Sequence, residues 1–253
     1  MRRHQLLAAL HTRLRPRSYL ETGINNGLSM RLSKVPSVGI DPEFQVTSEL
    51  QGDLHLARTT SDEFFARARP LAHLSDQTVD LAFIDGMHLA EYALRDFVAV
   101  ERFSLPTTVV VFDDMLPRRA EEAVRVRLGG PWTGDVYKVT DALRRLRPDL
   151  LVMEVDTTPT GTVVVLFPDA TRDGVLPGYD DWVASAVVPD PQEVPEEILT
   201  RSRAIDPQRL LSSPAWDRVA DLRASARPGV AAPVREAFAD LVALNEELVG
   251  RSA

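Results

Sequence analysis

Four apolar, β-rich segments in the first half of this 253-residue chain run directly into acidic residues. They are Tyr19-Leu20-Glu21-Thr22-Gly23, Val38-Gly39-Ile40-Asp41, Leu81-Ala82-Phe83-Ile84-Asp85 and Val109-Val110-Val111-Phe112-Asp113-Asp114. Short continuous apolar runs of this kind read as strands buried on both faces, hence as a parallel sheet covered by helices. In an open parallel sheet, ligands sit outside the carboxyl ends of the strands. Acids at those ends are placed for chemistry rather than for packing.

Between these runs the period changes to that of helices. A helix over 4–14 carries Leu6, Leu7, Leu10 and Leu14 on one face. Further helices are expected to begin at Leu28, to be capped by Ser61 or Asp62 and run through Phe64, Phe65 and Ala68, and to cover 89–103, 120–127 and 139–147. Strands are expected at 18–22, Ser37–Ile40, 54–59, Val79–Ile84, 107–112, 150–155 and 161–167. The last two are joined by Asp156-Thr157-Thr158-Pro159-Thr160, short enough for a hairpin, so the sheet is expected to end in an antiparallel edge strand. The architecture is α/β, with seven strands, mostly parallel, and helices on both faces.

After Phe167 the composition shifts to Pro and Asp, with Tyr179, Trp182 and Val183 as scattered apolar anchors. Helices follow at 196–203, 213–224 and 233–249. We therefore divide the chain into a ligand-binding domain over 1–167 and a mainly helical extension over 168–253. The extension is too short to bury a large core alone and is expected to pack on the main domain or on a second subunit. Val234, Phe238, Leu241, Leu244 and Leu248 recur at helical spacing and would serve as a homo-oligomer interface.

Composition narrows the ligand. A net charge of −8 argues against a broad nucleic-acid surface, which needs clustered Lys and Arg. No apolar run approaches the ~18 residues of a membrane span. The absence of cysteine excludes thiolate metal sites and cysteine nucleophiles and fits a reducing, cytoplasmic setting.

The turn after the first strand, Gly23-Ile24-Asn25-Asn26-Gly27, has two glycines that allow a sharp bend and close backbone approach. Asp41 follows Glu21 by 20 residues at the next strand end, where a carboxylate can accept hydrogen bonds from both hydroxyls of a ribose. The G-x-G-x-x-G pattern of a pyrophosphate cradle is absent, since Asn25 stands at the middle glycine. An acid at this turn suits a cationic sulfonium or amino group. Ser61 and Asp62, after the third strand, would reach the base of a bound nucleoside, cap a helix, or do both.

Asp85, Asp113 and Asp114 follow two strands expected to be neighbours. Three carboxylates there repel one another unless a cation lies between them. Oxygen donors favour Mg²⁺, Mn²⁺ or Ca²⁺ over zinc. His88, three residues after Asp85, is the candidate base for a hydroxyl proton. Asp96 is expected to be structural. Trp132, Tyr137 and Lys138 either line an acceptor pocket or pack, with packing favoured.

In these segments the chain resembles class I S-adenosylmethionine-dependent methyltransferases, and in particular the metal-dependent O-methyltransferase-like group known as methyltransferase domain 24. The resemblance covers roughly 15–167 and implies a Rossmann-like sheet. It implies that Glu21, Gly23 and Asp41 hold S-adenosylmethionine, beside which our reading of the residues places Asn25, Gly27, Ser61, Asp62 and Asp85, and that Asp85, Asp113 and Asp114 hold Mg²⁺ or Mn²⁺. His88 stands where catechol-type relatives carry a lysine. The activity implied is methyl transfer to a hydroxyl of a small molecule such as a sugar, a polyol or a natural-product scaffold; the catalytic residues, Asp85 and His88, come from the spacing of the residues themselves. Three alternatives stay open: a nicotinamide-dependent oxidoreductase, a metal-independent methyltransferase, and a non-catalytic subunit that binds S-adenosylmethionine or nothing.

Overall fold

A computed structural model describes residues 1–250. Seven strands, β1 (Tyr19–Thr22), β2 (Ser37–Ile40), β3 (Leu54–Ala57), β4 (Val79–Ile84), β5 (Ser104–Asp113), β6 (Leu151–Val155) and β7 (Thr162–Leu166), form one sheet in the order β3-β2-β1-β4-β5-β7-β6. The pairs from β3 to β5 are parallel, and β7 runs antiparallel to both β5 and β6. The antiparallel portion lies at the expected edge and is made by the expected hairpin. Its reversed strand is inserted second from the rim, and β6 itself is outermost.

Chain direction across the sheet reverses between β1 and β4, and such a reversal opens a crevice at the strand ends. The register levels that crevice. Thr22 is opposite both Ile40 and Ile84, and Ile84 is opposite Phe112. The next residue of each strand is therefore Gly23, Asp41, Asp85 and Asp113, side by side along one rim.

The strands read as unbroken apolar runs because both faces are covered. Ala82, Ile84, Val110 and Phe112 face one core, packed by α2 (Ser61–Phe65), α3 (Ala90–Glu101), α4 (Lys138–Leu146) and α5 (Tyr179–Ala186). Leu81, Phe83, Val109 and Val111 face the other. That second core is closed by α1 (Arg3–Leu14) and by the C-terminal helices α7 (Pro207–Leu211), α8 (Ala215–Ser225), α9 (Ala232–Ala237) and α10 (Ala239–Gly250). A short helix, α6 (Glu196–Leu199), packs through Ile198 on Leu116 and Tyr137. Each large apolar side chain so buried contributes roughly 1.5–3 kcal/mol.

Several expected helices differ. The segment beginning at Leu28 is one 3₁₀ turn, Met30–Leu32, cut short as the chain turns into β2. The 120–127 segment has only a 3₁₀ turn, Ala120–Glu122. Beyond it, tertiary partners take the backbone, since Asp190 accepts from the amides of Arg125 and Val126. The 233–249 helix is broken at Phe238, whose ring packs edge-on against Trp216 at 4.9 Å. Val234, Phe238, Leu241 and Leu244 are buried against this chain's own sheet, so the face expected to meet another subunit is already covered. Among the described residues, no helix is long and apolar enough to cross a membrane.

Candidate functional site

The β1 turn is built by backbone demands. Gly23 sits at φ +86°, and a Cβ there would lie 1.8 Å from the Asp85 carbonyl oxygen, so the turn and the end of β4 touch and only glycine fits. Asn25 at φ +48° and Gly27 at φ +81° complete the bend. Asp41 joins the turn to β2. One of its oxygens accepts from the Asn25 amide at 2.8 Å and the other from the Glu43 amide at 2.7 Å. The β2–β3 connection folds over the turn, with the Gln45 amide donating to the Asn25 carbonyl at 2.8 Å.

Glu21 points inward from β1 and is fully buried. Its carboxylate meets the Tyr19 hydroxyl at 2.6 Å and the Ser29 hydroxyl at 2.5 Å. Burial pushes its pKa up to about 8, against the pull of those two hydrogen bonds. The helix cap expected at Ser61 or Asp62 is Thr60, whose hydroxyl accepts from the Glu63 amide at 3.3 Å. Thr60 keeps extended backbone angles, which a capping residue needs, whereas Ser61 and Asp62 are already helical. Asp62 is instead ion-paired with Arg95. Asp96, expected to be structural, is buried beneath the rim; burial pushes it up to about 6, opposed by the hydroxyls of Ser61 and Thr22.

The strand-four and strand-five acids converge as the parallel pairing requires. The His88 imidazole lies between two of them, with Nε2 3.1 Å from Asp85 Oδ1 and Nδ1 3.4 Å from Asp114 Oδ2. Donor atoms of Asp85, His88 and Asp114 all lie within 4.8 Å of one another. His88 and Asp114 hold left-handed backbone angles, φ +58° and +59°. Non-glycine residues in that region are strained, and such strain clusters at functional sites. Thr160 donates to Asp114 from the β6–β7 connection. The Trp132 ring stacks on His88 with centroids 5.0 Å apart and planes 14° from parallel. Gly134 lets that loop pass, since a Cβ there would lie 1.7 Å from the His88 carbonyl oxygen. Burial lowers the His88 pKa, but the hydrogen bond and charge of Asp85 and the charge of Asp114 outweigh it, and the net shift is upward.

Asp113 is not part of that trio. Its carboxylate is paired with Arg3 Nε at 2.6 Å. Burial and the charges of Asp85 and Asp114 hold its pKa well above the ordinary carboxylate range, with Arg3 pulling the other way. Tyr137 and Lys138 pack rather than face the rim; the Lys138 ammonium donates to the Ala186 carbonyl at 2.7 Å and to Gln192 Oε1 at 2.6 Å. Sequence reasoning missed Arg3 and Thr160, and no local spacing links either to the acids. The stacking of Trp132 was legible only as an aromatic residue in a glycine-rich loop.

Two carboxylates and one imidazole form a donor set that suits Mn²⁺ or Mg²⁺, with the nitrogen favouring a first-row ion.

Residues 20–115 match the family model described as a methyltransferase domain, Methyltransf_24. No curated protein matches the chain. Among solved structures, the chain is similar to the O-methyltransferase TomG from Streptomyces achromogenes, involved in tomaymycin synthesis and solved with S-adenosylmethionine. The identity is 19%, covering 65% of this chain and 78% of that one, with a TM-score of 0.47. An O-methyltransferase from Bacillus cereus, solved with S-adenosylhomocysteine, is 16% identical over 65% of this chain and 80% of that one, TM-score 0.47. The Podospora anserina methyltransferase PaMTH1, also solved with S-adenosylhomocysteine, is 13% identical over 66% and 78%, TM-score 0.43. The segment matched by the family model runs from β1 to just past Asp114, so it contains every acid on the rim.

Proposed function

We propose that this chain, whose residues 20–115 match the methyltransferase-domain family model, is an S-adenosylmethionine-dependent O-methyltransferase that methylates a hydroxyl of a small molecule with the help of a divalent cation. One observation carries the reading. Within the family segment, Gly23, Asp41, Asp85 and Asp113 stand level at the point where strand order reverses.

When bound, S-adenosylmethionine would supply an electrophilic methyl group, leaving as the thioether, and a divalent cation would supply a Lewis acid to lower the pKa of the acceptor hydroxyl. The chain's own residues do the rest. The backbone from Gly23 to Gly27 receives the amino-acid end of the donor, with Glu21 beneath it. Asp41 accepts the ribose hydroxyls. Ser61 and Asp62 border the base. Asp85 and Asp114 hold the cation, and His88, between them, takes the proton that the acceptor gives up. Much of the rate comes from holding donor and acceptor in line. The acceptor class is a sugar, a polyol or a natural-product scaffold.

A second reading, transfer without a metal, is favoured by Arg3 and His88, which already lie among the three acids. Turnover unchanged by EDTA would select it. The donor site itself is tested by calorimetric titration with S-adenosylhomocysteine. The unaltered protein is expected to bind at one site, and Asp41→Ala to bind at least about tenfold more weakly for the loss of charge-assisted hydrogen bonds. No binding by the unaltered protein would remove the proposal.

A further inference from the structure

The chain brings two nitrogen-bearing side chains to the three carboxylates at the ends of β4 and β5. One is His88, between Asp85 and Asp114. The other is Arg3, which reaches in from the first turn of α1 to within 2.6 Å of Asp113 Oδ2. The side chain of Asp113 is 1% exposed, and Arg3 is the only cation in contact with it among the described residues. The first turn of α1 is fixed there by backbone. The Arg3 amide donates to the Thr158 carbonyl at 3.3 Å, and the Thr158 amide to the Met1 carbonyl at 2.9 Å. The same β6–β7 connection presents Thr160 to Asp114. Adjacent aspartates therefore have separate partners: Asp113 is held by α1, and Asp114 by the β6–β7 connection.

That division has a chemical consequence. A guanidinium stays charged at any working pH and cannot step aside by losing its proton. A buried carboxylate in contact with it has much of its charge cancelled and attracts a metal ion less. Asp85 and Asp114 have no guanidinium in direct contact among the described residues. Given a divalent cation at the rim, as read above, we propose that Arg3 is a tethered cation that withholds Asp113 from the ion and leaves Asp85 and Asp114 as its carboxylate ligands. Arg3 is a positioning residue acting through Asp113. It also makes α1, which lies outside the family segment, a working part of the site.

The test is Mn²⁺ titration of the full chain, followed by electron paramagnetic resonance, which needs no acceptor. Asp113→Asn is expected to bind Mn²⁺ within about twofold of the unaltered protein, whereas Asp85→Asn and Asp114→Asn each weaken it by about tenfold or more. Arg3→Gln frees Asp113 and is expected to tighten Mn²⁺ by about threefold or more. Adding Asp113→Asn to it restores the original affinity, and Arg3→Lys leaves it unchanged. An Asp113→Asn loss as large as that of Asp114→Asn would make Asp113 a ligand and overturn the proposal. That comparison decides alone if Arg3→Gln does not fold. Absence of Mn²⁺ binding by both the unaltered protein and Arg3→Gln would overturn it too. Titration of the same samples with S-adenosylhomocysteine separates the two readings. Intact donor binding beside a failed Mn²⁺ result leaves the methyltransferase reading standing, and absent donor binding removes that reading instead.

Discussion

Glu21 shows what one residue does when a fold buries it. Its carboxyl lies under the Gly23–Gly27 turn, with burial raising its pKa from 4.5 to about 8. A carboxyl that holds its proton more tightly folded than unfolded favours folding at low pH. Its contribution is fully present below about 4.5 and is lost as the pH rises to about 8. Glu21→Gln should therefore gain in melting temperature relative to the unaltered protein as the pH is taken from 5 to 8.5. Parallel melting curves across that range would mean that Glu21 titrates in its ordinary place. The place of the acids on the rim was readable from sequence because each follows an apolar run directly, so the strand end and the acid are one signal. Arg3 was not readable, because its partner lies on another element and only the packing of α1 joins them. The cap was misplaced by one or two positions, since Thr60, Ser61 and Asp62 are all capable caps and backbone angles alone choose between them.

At the scale of elements, local pattern identified strands well and helix ends poorly. The doubly buried strands β4 and β5 have no polar face to confuse their reading. The 120–127 segment has helical spacing, yet Arg125 is drawn into a cluster with Glu91 at 2.5 Å and Asp135 at 2.7 Å, and the helix is given up. Helix α7 went unseen although its signals were present: Asp206 caps it, accepting from the Gln208 and Arg209 amides, and Pro207 opens it. The break at Phe238 has a packing cause, because its ring sits between Trp216 and Phe167. Phe238→Ala should lower unfolding free energy by about 3–5 kcal/mol in a denaturant titration. A loss under about 1 kcal/mol would mean that α9 and α10 do not share the core of the sheet.

At the scale of the whole molecule, the sheet depends on both ends of the chain. Leu6, Leu7, Leu10 and Leu14 from α1 and Trp216, Val219, Phe238 and Leu241 from the C-terminal helices bury the same face. Arg223 ties them, donating to the carbonyls of Leu14 and Arg15 while lying 3.2 Å from Asp80. The composition change after Phe167 was legible, but composition carries no record of which face a later helix will cover. A chain ending at residue 167 should therefore fail to give a cooperative thermal transition and should bind dyes that report exposed apolar surface. A sharp transition from that truncated chain would show that the extension is dispensable for folding.

The most direct measurement of the central claim is a crystal grown with S-adenosylhomocysteine and MnCl₂, with an anomalous map recorded at the manganese edge. The nucleoside should lie along Gly23 to Gly27 with its ribose on Asp41, and a single manganese peak should stand between Asp85 and Asp114. A nucleoside bound elsewhere would contradict a methyl-transfer site at the reversal of strand order, and a rim with no peak would contradict metal assistance there.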